Sequence, residues 1–257
     1  MGLGMRGDVW KFQIEGLRDT HQVAWFDNRG IGESELDSAK TWTMADMARD
    51  TLSVMDALGW RDAHLVGVSL GGMVAQETAL MAESRFRSLT LIATMEGGRL
   101  KDKLPSLRGL RHFVTANFNS GEKRIAALRH LLYPKSFLDS VDQAELSERM
   151  HAQVGRPAKR ATANGQLSAV LRHDAGGRLG QLTLPTLIVR CGKDVLVPPH
   201  RADRLRRRIA HAKLLDLPEA GHGVIFQCKD EVNEGLRRHF PDAENTVRAQ
   251  STARVHA

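Results

Sequence analysis

The chain is poor in cysteine and has no long apolar run. Cys191 and Cys228 are the only cysteines in 257 residues, and they stand at neither a metal-ligand nor a redox spacing. That excludes a disulfide framework and a zinc or dithiol motif, and such sparse usage suits a reducing compartment. No apolar stretch reaches the roughly 18 residues that a membrane-spanning helix needs, and no charged segment followed by an apolar one opens the chain. Met1-Gly2 begins like a myristoylation signal, but Arg6 occupies the position that requires serine or threonine. We therefore expect a soluble, cytoplasmic protein with no membrane partner, no metal and no cofactor. The formal charge of +7 raises nucleic acid as a partner. The basic residues are dispersed, however. Their densest group, Arg201, Arg204, Arg206, Arg207 and Arg208, lies on a predicted helix as a solvated face, with no nucleic-acid motif beside it.

What is present is the material of one large α/β domain, with 42% hydrophobic residues for its core. Its centre is Gly67-Val68-Ser69-Leu70-Gly71. The short apolar run Ala63-His64-Leu65-Val66 before it reads as a buried strand, and Gly72 to Leu80 after it as a helix. A strand-to-helix turn this sharp leaves no room for Cβ atoms two residues either side of the serine. Gly-x-Ser-x-Gly supplies that room and lets Ser69 project its Oγ from a strained conformation. The first N-H groups of the following helix then face any negative charge developing beside the serine.

The remaining elements alternate. A helix is predicted from Asp8 to Leu17, a strand from Gln22 to Phe26, a helix from Ala45 to Leu58 closed by Gly59, and a strand from Arg87 to Ala93. Between Glu96 and Leu182 the pattern turns helical, broken by Pro105, Gly109, Pro134 and Gly155-Arg156-Pro157, with no strand. Alternation resumes with a strand over Pro185 to Cys191, a helix over Pro199 to Ile209, a strand over Ala212 to Leu217 and a helix over Phe226 to Phe240. From Pro241 the residues are polar and aperiodic, as in a frayed tail. Gly2-x-Gly4-x-x-Gly7, with Asp27 twenty residues on, also fits a dinucleotide fingerprint. That motif needs a strand before its first glycine, and the chain has none there.

Asp27-Asn28-Arg29-Gly30-Ile31-Gly32-Glu33-Ser34, upstream of the Gly67–Gly71 turn, resembles the Asp-x-Arg-Gly-x-Gly-x-Ser loop of the α/β-hydrolase fold superfamily. The resemblance covers nearly the whole chain. It implies a mostly parallel, doubly wound α/β sheet with a helical cap insertion. Residues 1–95 and 183–240 would form the core, 96–182 the cap, and 241–257 a disordered tail. Met1-Gly2-Leu3-Gly4 is similar to the family's oxyanion loop, with Met1 in the place of its histidine, so the backbone N-H groups of Leu3 and Leu70 would form the oxyanion hole. Arg29 and its neighbouring glycines would shape a turn.

Ser69, Asp194 and His222 occur in the chain order of the family's triad, Asp194 at a predicted strand end and His222 on a loop between glycines. The implied activity is a serine hydrolase working through an acyl-enzyme on a small-molecule substrate with an acyl group, a carboxylic ester or lactone. Glu96, just past the strand that follows the Ser69 turn, is the alternative acid. A non-catalytic scaffold that binds a small ligand and a dinucleotide-binding oxidoreductase are the competing classes. The family's early strands should precede Met1, so a late recorded start or a fragment is expected. Oligomeric state is left open.

Overall fold

The computed structural model describes residues 1–34, 42–151 and 158–255, with side chains through Glu244. Four parallel strands, β1 (Ala63–Val68), β2 (Phe86–Ile92), β3 (Thr186–Cys191) and β4 (Lys213–Leu217), form a sheet in that order. The central strands β2 and β3 are buried almost throughout, which is why they read as continuous apolar runs rather than alternations.

Helices cover both faces. Before the sheet come α1 (Lys11–Leu17), entered through a 3₁₀ turn at Gly7–Trp10, and α2 (Met44–Ala57), closed at its start by a Thr43–Asp46 capping box. The helix α3 (Leu70–Met81) follows β1. Between β2 and β3 lie α4 (Leu107–Phe118), α5 (Gly121–Leu132), α6 (Lys135–Ser140), α7 (Gln143–Arg149) and α8 (Arg160–Arg172). The chain ends with α9 (His200–Arg208), α10 (Val224–Gln227) and α11 (Lys229–Val255) around β4.

Successive side chains of a strand point to opposite faces, and the two cores divide accordingly. Leu89, Leu91 and Ile188 pack with Met55 of α2, Ala75 of α3 and Leu205 of α9. Ile92, Leu187 and Val189 pack with Leu17 of α1, Ile225 of α10 and Leu236 of α11. The sheet is thus doubly wound, as the sequence predicts.

The segment between β2 and β3 is helical, with no strand among its described residues; the predicted break at Gly155-Arg156-Pro157 lies outside them. Its two ends meet at one place. Gly97 and Asp174 form an isolated antiparallel bridge, and Ala175 N-H donates to Glu96 O at 2.9 Å. The predicted break at Gly109 is instead part of α4. A Cβ there would lie 2.0 Å from Val195 O, so glycine lets α4 approach the loop after β3.

Residues 22–26 depart from the prediction: they are described but carry no strand. Between them and β1 lies a cavity of about 780 Å³ lined by Val23, Ala24, Phe26, Ala63 and Leu65. Strands pair only about 4.8 Å apart; across this gap the segment has no ladder to join, and among the described residues no strand pairs with this edge of β1.

The predicted tail is also different. α11 runs through Pro241, because the helical spacing continues: Leu236, Phe240 and Ala243 are all buried. Glu244 then pairs with Arg87 at 2.9 Å and His64 at 3.4 Å. Among the described residues, no helix is long and apolar enough to cross a membrane.

Candidate functional site

Ser69 sits between β1 and α3 with φ 55° and ψ −120°, a left-handed conformation that costs a serine energy. Its surroundings hold it there. Ser69 N-H donates to Ile92 O at 2.9 Å, and Thr94 Oγ1 donates to Ser69 O at 2.6 Å. A Cβ on Gly67 would lie 2.3 Å from Gly71 O, so this turn cannot close around a side chain at that position.

The three residues singled out from the sequence come together. His222 Nε2 is 3.0 Å from Ser69 Oγ, and His222 Nδ1 is 2.7 Å from Asp194 Oδ2. Asp194 is 4% exposed and His222 7%, so the hydrogen bond between them is withdrawn from water. Leu196 and Val197 N-H groups, each at 2.8 Å, donate to Asp194 Oδ1, which leaves Oδ2 aimed at the histidine. A carboxylate at Nδ1 puts the proton there and leaves Nε2 able to accept from a hydroxyl.

Gly2 and Leu3 lie beside Ser69. A Cβ on Gly2 would meet Ser69 Cβ at 3.6 Å, and Leu3 lines the same pocket as Ser69. Leu70 opens α3, and the first N-H groups of a helix have no acceptor within it. Leu70 thus directly follows Ser69, and Leu3 shares its pocket.

Glu96 is elsewhere: buried past β2, it pairs with Arg204 of α9 at 2.6 Å and serves the junction where the helical segment leaves the sheet. Asp27 accepts from Gly7 N-H at 2.6 Å, tying the first loop to the Asp27–Ser34 loop instead of offering a free carboxylate for a ribose. Arg29 binds Asp50 through two hydrogen bonds and Asp46 O through a third, tying the Asp27–Ser34 loop to α2. Burial pushes the Cys191 thiol well up and Cys228 to about 11, so both are poor nucleophiles. Among the described residues no group of three or more His, Cys, Asp or Glu side chains is arranged to hold a metal ion.

A small pocket of about 110 Å³ opens onto Ser69 and His222. Phe113 and Tyr133 line it; Met150 and Phe137 pack in the core of the helical segment, and Phe118 is exposed. Arg124 and Arg149 also line it. Nothing in the sequence marks them, because a pocket charge on a helix follows no periodicity or motif.

Residues 2–227 match a protein-family model described as alpha/beta hydrolase fold. "Putative carbamate hydrolase RutD" of Azorhizobium caulinodans is 30% identical over 235 residues, 91% of this chain and 87% of that protein. Its counterpart in Variovorax paradoxus is 31% identical, over 86% of this chain and 82% of its own length. Among solved structures, a hydrolase from Pseudomonas aeruginosa superposes with a TM-score of 0.74 at 26% identity, covering 90% of this chain and 85% of that one. The enol-lactonase from Burkholderia xenovorans LB400, at 20% identity, shares the fold with a TM-score of 0.80 over 93% of this chain and 88% of its own.

Proposed function

The chain belongs to the α/β-hydrolase fold family and is a hydrolase, and on that premise we propose that Ser69, His222 and Asp194 form a catalytic triad that cleaves a small carboxylic ester or lactone. One observation carries this reading: the hydrogen-bonded line from Asp194 through His222 to Ser69, at 2.7 and 3.0 Å.

A serine hydroxyl is a weak nucleophile at neutral pH. His222 Nε2 takes its proton as Oγ bonds to the substrate carbonyl carbon, and Asp194 stabilises the imidazolium. The carbonyl oxygen becomes an oxyanion that accepts from Leu3 and Leu70 N-H. As the tetrahedral species collapses, the bond to the leaving oxygen breaks and His222 returns the proton to it. Water, deprotonated by the same histidine, then attacks the acyl-enzyme and releases the acid and Ser69. The helices α4 to α8 act as a cap that encloses the acyl group.

The similarity to proteins named carbamate hydrolases supports a second substrate class for the same triad, since a carbamate presents the same carbonyl to Ser69. A fluorophosphonate probe tests the enzyme reading. Labelling that disappears in Ser69→Ala is expected; no labelling of the folded protein would sink it in favour of a ligand-binding scaffold. Short-chain esters, lactones and a small carbamate assayed side by side then separate the substrate classes.

A further inference from the structure

Gly2 to Met5 form a tight turn beside Ser69. Met5 N-H donates to Gly2 O at 3.1 Å, and Gly4, third in the turn, has φ 71°. A positive φ at that position is what a type II turn requires, and type II differs from the commoner type I in the direction of its central peptide. Here the central peptide joins Leu3 to Gly4. Its N-H points at α8, where Gln166 Oε1 accepts it at 2.7 Å. The peptide before it is fixed as well: Gly2 O is turned to Met5, and across a trans peptide Leu3 N-H points the opposite way. Leu3 is therefore held between two anchored peptide planes.

Gln166 is 0% exposed, and one face of α8 carries it to the loop. Thr162, four residues earlier on that face, donates from Oγ1 to Gly30 O at 3.1 Å. Ala169 and Leu70 belong to one apolar cluster, against which Leu3 packs. Burying an amide is costly unless its groups are paired. Gln166 Nε2 has no acceptor among the described residues, so the hydrogen bond to Gly4 is what this buried side chain provides. Gln166 is not among the residues that line the pocket at Ser69, so it acts through the turn and not on the substrate.

We propose that Gln166 is a positioning residue for the oxyanion: by holding the Leu3–Gly4 peptide in its type II orientation, it sets the angle at which Leu3 N-H meets the charge developing on the substrate carbonyl. This rests on the reading of Ser69 as nucleophile and Leu3 N-H as oxyanion donor. Without the acceptor the central peptide is free to flip. The loss falls on the transition state, because the negative charge exists only there.

Steady-state kinetics on p-nitrophenyl acetate are compared among wild type, Ser69→Ala, Gln166→Met, Gln166→Glu and Thr162→Val. Methionine fills a similar volume without an acceptor, and should lower kcat by about tenfold or more while KM stays within about twofold. Glutamate restores an acceptor and should recover part of the loss. Thr162→Val removes the other bond of α8 and should leave kcat unchanged. If Gln166→Met does not fold, Gln166→Asn, too short by one methylene to reach Gly4, is read in the same way. Trifluoroacetone gives a second readout. Ser69 Oγ adds to its ketone carbon, the proton passes to His222, and the ketone oxygen becomes the oxyanion; Gln166→Met should weaken this inhibition by about the factor lost in kcat/KM.

Wild-type kcat and inhibition in folded Gln166→Met would overturn the assignment and leave the triad standing. Equal losses in Gln166→Met and Thr162→Val, with no recovery in Gln166→Glu, would also overturn it, since α8 would then be only a support. Absence of Ser69-dependent turnover and inhibition in the wild type would instead remove the nucleophile, and this proposal with it.

Discussion

Asp194 Oδ2 lies 2.7 Å from His222 Nδ1, while Asp194 Oδ1 accepts the N-H groups of Leu196 and Val197. The carboxylate is therefore oriented by its own loop. Glu96, the other acid considered from the sequence, is bound to Arg204. Asp194→Asn is expected to lower kcat/KM by about 10³- to 10⁴-fold, because an amide favours the wrong imidazole tautomer. Glu96→Gln is expected to alter thermal stability more than turnover. Steady-state kinetics on one ester would check both; a larger kinetic loss from Glu96→Gln would reverse the assignment of the acid.

The Asp194 loop is also held by the helical segment. Ser106 N-H donates to Val195 O at 3.0 Å, and Gly109 packs against the same carbonyl. Gly109→Ala would place a Cβ 2.0 Å from Val195 O, so this backbone must move. We expect a drop of about tenfold in kcat, since small displacements of a catalytic group are costly. The variant fails as a test only if circular dichroism shows it unfolded; wild-type kcat in a folded protein would refute the coupling.

His239 on α11 is buried, and desolvation, aided by the Lys213 and His64 charges, lowers it from 6.5 to about 4. Between those values the unfolded chain binds a proton that the folded chain refuses. Stability from this group is therefore complete above about pH 6.5 and declines as pH falls toward 4, by about 3 kcal/mol in all. Glu77 acts in a lower window. Burial alone would raise it, but His173 and Arg178 outweigh that and hold it at about 2, so its contribution is lost as pH falls from 4.5 toward 2. Urea unfolding midpoints at pH 7 and pH 4.5, compared between wild type and His239→Leu, would reveal the first effect. Identical pH slopes would refute it.

β1 pairs on one side with β2 and faces the cavity of about 780 Å³ on the other. In a parallel strand alternate amides point to alternate neighbours. Every second amide of β1 should therefore exchange with deuterium at least about tenfold faster than those of β2. Uniform protection along β1 would mean that this edge is covered in solution.

Much of the site was legible because its signals are local. Glycines at 67 and 71 mark a turn that excludes Cβ atoms, and the order of Ser69, Asp194 and His222 along alternating elements sets them at one end of the sheet. The strand predicted at 22–26 and the frayed end after Pro241 were misread for the opposite reason. A strand exists only where a neighbour lies within bonding distance, and proline ends a helix only where distant contacts do not hold the next turn. Ala243 and the Glu244 pairs with Arg87 and His64 supply such contacts.

The sequence by itself determined the alternation of strands and helices, the tight Gly67–Gly71 turn and the chain order of Ser69, Asp194 and His222, since strand periodicity, turn sterics and motif spacing are properties of short segments. Only the tertiary structure decided which carboxylate reaches His222, that Asp27 is spent on Gly7, that among the described residues one edge of β1 has no partner strand, and that Arg124 and Arg149 line the pocket at Ser69. Each of these depends on groups far apart in the chain meeting at hydrogen-bonding or van der Waals distance, and no local pattern encodes that.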